Sequence, residues 1–134
     1  MESVWHFDGT RWNPIAKAGS LLEMIATGRA QAWAVGTDGI RAATATETLA
    51  ATQSSQGLGS APRAWSLAPD DVWVAGEERL LHFDGKSWHP VASPGGQAAE
   101  VVWASGPSQR YVGTKQGLFV SDGDRWQQTG KCKP

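Results

Sequence analysis

A stretch of 29 residues, AWSLAPDDVWVAGEERLLHFDGKSWHPVA at positions 64–92, returns along this chain at a spacing close to 38 residues. No other feature constrains the fold as tightly. The stretch breaks into four apolar runs, at 64–67, 72–75, 80–83 and 87–92. Between them lie Ala68-Pro69-Asp70-Asp71, Gly76-Glu77-Glu78-Arg79 and Asp84-Gly85-Lys86. Runs this short, rich in Val, Trp, Leu and Phe, are strands and not helices. Asp-Gly between apolar runs is a hairpin signal, because a tight turn needs a positive φ that Gly adopts without steric cost. Four strands joined by such turns make one antiparallel sheet.

Three markers set the period. His6-Phe7-Asp8-Gly9-Thr10-Arg11-Trp12 is matched 76 residues later by His82-Phe83-Asp84-Gly85-Lys86-Ser87-Trp88. Val120-Ser121-Asp122-Gly123-Asp124-Arg125-Trp126 matches again after a further 38. Trp33 and Trp73 sit in equivalent runs 40 residues apart, and Tyr111 follows 38 after Trp73. Trp65 and Trp103 are also 38 apart. A fixed period of this length marks a repeat architecture.

The copies then divide the chain, read as a single domain over 1–134, into a half copy at 3–17, a degenerate copy at 21–53, the reference copy at 64–92 and a last copy at 99–130. The degenerate copy reads TATETLA at 44–50, where the Asp-Gly and the Trp are lost. Its fourth strand is expected at 48–52, and its register in the repeat makes 21–26 a strand. Positions 54–62 have loop composition and 93–97 form a linker. Fourteen strands are expected in all.

A four-stranded antiparallel sheet recurring every ~40 residues is a β-propeller blade. One blade cannot bury both faces alone, so blades stack. Of the eight Trp, Trp5 lies in the first strand of the half copy and the other seven recur at equivalent places on this reading. Trp65 and Trp103 share a first-strand position. Trp33, Trp73 and Tyr111 share a second-strand position, and Trp12, Trp88 and Trp126 follow the Asp-Gly turn. These rings are expected to fill the space between blades; a carbohydrate-stacking platform is the rival role. Asp8, Gly9, Asp84, Gly85, Asp122 and Gly123 are read as turn formers.

The motif D-V-W-x-x-G, an apolar run, then x-x-D-G-x-x-W resembles the tryptophan-rich β-propeller repeats of bacterial proteins, over nearly the whole chain. It is loosely similar to the Asp-box repeat, S-x-D-x-G-x-x-W, although here Asp and Gly are adjacent. The resemblance implies architecture rather than activity.

Fourteen strands make three and a half blades, whereas closed propellers have ~4–8. An open arc bares two apolar sheet faces, which mark interfaces. The expected partner is a second copy closing the ring, or the remainder of a longer propeller.

Function is then expected in the loops. Those joining second and third strands carry Asp38, Glu77, Arg79 and Lys115, on one rim with Arg63 and Gln97. These residues are the candidate ligand-binding set, for a glycan or a protein. The competing class is an Asp-box-like glycoside hydrolase, with Glu100 as the acid to test. GxSxG, HExxH and phosphate-loop motifs are absent, so neither an enzyme nor a cofactor is expected. His6 and His82 are copies of one another, and Cys132 is alone, so no metal site is expected. Twelve basic residues balance thirteen acidic ones without a basic cluster, which argues against a nucleic-acid partner. No apolar window reaches ~18 residues and the first residues lack the pattern of a secretory signal, so neither a membrane span nor a leader is expected.

Overall fold

The structure, a computed structural model, describes residues 2–18, 21–28, 31–96, 98–106, 109–121 and 125–131. Among them the regular elements are strands and one short 3₁₀ turn, Pro94–Gly96. β1 (Glu2–Phe7) and β2 (Trp12–Ala18) form a hairpin. β3 (Leu21–Gly28), β4 (Gln31–Gly36) and β5 (Gly39–Thr44) form a three-stranded sheet. β6 (Arg63–Ala68), β7 (Asp71–Ala75), β8 (Leu80–Phe83) and β9 (Trp88–Val91) form a four-stranded sheet. So do β10 (Val101–Gly106), β11 (Gln109–Thr114), β12 (Gly117–Ser121) and β13 (Trp126–Lys131). Every pairing is antiparallel and strand order follows chain order. The protein is therefore all-β, built of four antiparallel sheets. Its contacts divide it into two compact units, Met1–Gln56 and Gly57–Pro134.

One expected strand is corrected. Thirteen strands, not fourteen, occur among the described residues, because 48–52 forms no ladder. Only the isolated bridges Ala43↔Thr48 and Ile40↔Gln53 remain. Where the reference copy has Gly85 at φ +99°, this copy has Ala45, and no described residue other than Gly takes a positive φ. The turn closes through Thr44 without a left-handed residue, and Thr48 lacks the surface with which Trp88 anchors β9. Residues 21–26, by contrast, lie in β3 as expected.

The two intact Asp-Gly turns are built alike. Asp84 N–H donates to the Ser87 carbonyl at 3.2 Å, and Asp84 Oδ1 accepts from the N–H groups of Lys86 (2.8 Å) and Ser87 (3.0 Å). Asp8 repeats this with Arg11 O (3.1 Å), Thr10 N–H (2.8 Å) and Arg11 N–H (3.0 Å). Gly9 has φ +103°. Asp122 and Gly123 lie outside the described residues, as do Gln97 and Cys132.

The core of the second unit lies between its two sheets. Alternation puts Trp65 and Leu67, Trp73 and Ala75, and Leu80 on one face of the β6–β9 sheet. They pack on Ala99, Val102, Val112 and Trp126 of the following segment and sheet. Burial of each large side chain contributes roughly 2 kcal/mol. The loop before β6 adds a plug. Leu58 is fully buried, and its carbonyl accepts from Glu77 N–H at 3.3 Å while Gly57 O accepts from Glu78 N–H at 2.9 Å.

The tryptophans do not share one environment. Trp33, Trp73 and Trp88 are buried, whereas Trp5, Trp12 and Trp103 are exposed. Trp12 is 65% exposed where its equivalent Trp88 is 7% exposed.

Candidate functional site

In a meander, alternate turns lie at the same end of the sheet. The β6–β7 and β8–β9 turns of one sheet and the β10–β11 turn of the next therefore share an end. There the two sheets diverge around an open groove of about 680 Å³. Its polar lining comes from Ser66, Asp70, Asp71, His82, Asp84 and Arg110, with Ser105 at the edge. Leu67, Ala68 and Ala104 supply an apolar wall.

Asp71 organises the groove. As the first residue of β7, it points to the same side as Trp73. Its Oδ1 accepts from Trp73 Nε1 at 3.0 Å and meets His82 Nε2 at 2.7 Å. Its Oδ2 accepts from an Arg110 amino group at 2.5 Å, across from one sheet to the other. The His82 ring lies against the Trp73 indole with centroids 4.4 Å apart. The three polar side chains are largely shielded, at 15% exposed for Asp71, 18% for Arg110 and 25% for His82. Charge pairing at low solvent exposure holds them in fixed positions. The result is a rigid donor–acceptor surface set in a partly apolar trough.

Asp84 lines the same groove with its carboxylate already engaged. Oδ1 caps the turn and Oδ2 meets His89 Nε2 at 2.8 Å. The Ser87 and Lys86 N–H groups and the His89 side chain favour the ionised form, so the carboxyl is held well below the usual Asp range. Asp8 is lowered too, by Arg11 and Thr10 N–H and by Asn13. Asn13 and His89 are equivalent residues, each following the Trp of its copy.

The expected ligand residues lie elsewhere. Glu77 and Arg79 line a smaller cleft of about 240 Å³ at the opposite end of the β6–β9 sheet, with Ser93, Gly96 and Ala99. Lys115 is exposed in the β11–β12 turn and does not line that cleft. Asp38 belongs to the first unit and pairs with Arg41 at 2.6 Å. The structure thus brings Glu77 and Arg79 together, while Lys115 lies in another turn of the same unit and Asp38 belongs to the other unit. Glu100 is exposed, and its N–H donates to Gly113 O at 2.8 Å. It lines neither opening.

Asp71, His82 and Arg110 were all outside the expected set, and Arg110 is the one that carried a signal in the sequence. Its repeat equivalent, 38 residues earlier, is Val72, fully buried in β7. A charge in place of a core Val was the available signal, and its partner Asp71 lies 39 residues away.

Within the first unit, Trp5, Phe7 and Trp12 wall an apolar cleft of about 330 Å³ with Met24, Ala26 and Ala32. The described residues hold no cluster of three or more His, Cys, Asp or Glu side chains able to bind a metal. No described helix is long and apolar enough to cross a membrane. The sequence matches no family model, no curated protein and no solved structure.

Proposed function

We propose that the chain is a non-enzymatic β-propeller segment that binds a glycan at the ends of its blades. The observation behind this reading is the groove ordered by Asp71, His82 and Arg110. Sugars present hydroxyls that both donate and accept, and apolar C–H faces. A trough that combines carboxylates, a guanidinium, an imidazole and serine hydroxyls with an apolar wall suits both. The meander sheets and their ~38-residue period support the blade reading, with the ring completed by a second copy or by further sequence. Glu77 and Arg79, in the cleft at the other end, remain a secondary contact set; Asp38 and Lys115 belong to separate turns.

A glycan array tests the ligand. Hits are expected, and they should fade when Asp70→Ala and His82→Gln are introduced at the groove. A blank array, or hits indifferent to both changes, removes the glycan reading. A protein ligand is the second reading, favoured by the aromatic cleft of Trp5, Phe7 and Trp12, which fits an apolar side chain better than a sugar edge. Catalysis is the competing class. A glycosidase needs one carboxyl whose proton affinity is raised, and Asp84 in the groove is moved the opposite way. Turnover of chromogenic glycosides, abolished by Glu100→Gln, would establish the enzyme instead.

A further inference from the structure

The groove between the β6–β9 and β10–β13 sheets has a polarity of its own. Three carboxylates, Asp70, Asp71 and Asp84, line it against one guanidinium, Arg110. Asp71 is spent within the groove: Trp73 Nε1 and His82 Nε2 meet its Oδ1, and Arg110 donates to its Oδ2. Asp84 is spent on its own turn and on His89. Asp70 is different. It is exposed and, among the described residues, has no hydrogen-bond or ion-pair partner. Its place is set by the backbone instead. A Cβ on Gly85 would lie 2.9 Å from Asp70 Cβ, so the β6–β7 and β8–β9 turns touch where Asp70 lines the groove.

The donors of the groove are turned inward. The guanidinium and the imidazole face Asp71. The Ser105 hydroxyl donates to Gln109 Oε1 at 2.8 Å, and the Ser66 hydroxyl to the Ala68 carbonyl at 3.4 Å. What remains for a ligand is mostly acceptors, a free carboxylate and the lone pairs of two hydroxyls. An uncompensated carboxylate in such a trough favours a ligand that brings positive charge and N–H donors. Shape narrows the class. Ala68 and Ala104 are short, so the trough stays broad at about 680 Å³, within the range of sites for compact small molecules. The slender stem of a lysine side chain would leave most of it empty. A sugar ring can lay its C–H face on Leu67, Ala68 and Ala104 and turn its substituents to the polar side.

We propose that the groove takes an amino sugar with a free primary ammonium, seated on Asp70. This rests on the glycan reading of the same groove and names the charge of the sugar. Calorimetric titration of the full chain with glucosamine oligomers and with their N-acetylated counterparts tests it. The two ligands share rings and linkage and differ in the positive charge. The amine form should bind about tenfold tighter, as a charge-assisted hydrogen bond does relative to a neutral one. Asp70→Asn, at an exposed turn position, should erase that preference, and Asp70→Glu should restore part of it. Glu47→Gln, which removes an exposed carboxylate in the other unit, should leave it intact. Raising the salt to about 1 M should shrink the preference, since exposed charges are screened. Equal binding of the two forms overturns the inference and keeps the glycan reading, as does a glycan array whose hits are all neutral. A preference that survives Asp70→Asn, or that Glu47→Gln reduces as much, overturns it too, because the attraction then belongs to the protein's charge at large. A lysine-rich peptide that binds through Asp70 where the amine oligomers do not assigns the carboxylate to a basic peptide and overturns it equally. An array without any hit removes the glycan reading and this inference together.

Discussion

The β3–β5 and β6–β9 sheets are two copies of one repeat, and they differ in how much of it survives. In the β6–β9 copy, Asp84 closes the turn before the last strand. In the other, Thr44 takes the same place. Its N–H donates to Glu47 O at 2.8 Å, and its Oγ1 accepts from the N–H groups of Thr46 (3.2 Å) and Glu47 (3.1 Å). That is the Asp84 pattern with a weaker acceptor. The chain then still follows β5. Leu49 N–H donates to Ala42 O at 2.8 Å and Thr52 N–H to Ile40 O at 3.0 Å. The hydrogen-bond frame of the repeat has outlasted its side chains. What the copy lost is the left-handed glycine and the buried indole, and with them a continuous strand.

The sharpest break of this comparison is at Gly76. The β4–β5 turn is two residues long, between Gly36 and Gly39. The β7–β8 loop runs from Gly76 to Arg79 and is roofed by Leu58. A Cβ on Gly76 would lie 2.4 Å from Leu58 Cα and O, which are backbone-held and cannot swing aside. Gly76→Ala should therefore expel the 57–59 loop and cost roughly 3 kcal/mol, as overpacking against backbone does. Denaturant unfolding measures it. Leu58→Ala, which empties a fully buried site, should cost a similar ~3 kcal/mol by the cavity route.

Next in size is the link between sheets. Asp71→Ala leaves Arg110 shielded without its carboxylate, while Asp71→Ala with Arg110→Met removes both charges. The single change should cost about 2 kcal/mol, and the double change less than the sum of the two single ones. Full additivity in that cycle would mean that the two sheets are held by apolar packing alone.

Much of this was legible beforehand. The period, the antiparallel sheets and the strand assignment of 21–26 followed from runs of apolar residues and turn dipeptides, which are local signals. The fourth strand of the degenerate copy was not legible, because register alone carried it and register does not supply an anchor. Leu58 was hidden as one apolar residue in a Gly/Ser-rich stretch. The groove was hidden because it is a joint product of two copies. Asp70, Asp71 and Asp84 read as turn residues one at a time, and only the fold brings Arg110 to them.

A smaller effect tests the turn itself. Gly85→Ala with Asp84→Thr rewrites the β8–β9 turn as the degenerate one. An Ala at φ near +99° is strained by roughly 1 kcal/mol or slightly more. The expected result is faster amide exchange at β9, with β6 and β7 protected as before. If β9 stays protected, the lost Trp and not the turn explains the missing strand.

The smallest expected effect is in acid, and it too separates the two copies. Asp84 is held below the usual Asp value of about 4 by the Ser87 and Lys86 N–H groups and by His89. A lowered folded value means that the turn's stabilisation is complete above the unfolded value. It fades only as pH falls through the lowered one. Thr44 has no proton to gain in this range, so the turn of the degenerate copy should not respond. The group is exposed, so the change is a local loosening and not global unfolding. Protection of the Lys86 and Ser87 amides, taken relative to their intrinsic exchange rates, should therefore fall in the wild type below about pH 3. In Asp84→Asn, whose neutral oxygen is a weaker acceptor, protection should be lower already at neutral pH and unchanged by acid, and the Thr46 and Glu47 amides should show no such step in either protein. A step at Thr46 would mean that a carboxyl, and not the Thr44 hydroxyl, holds that turn.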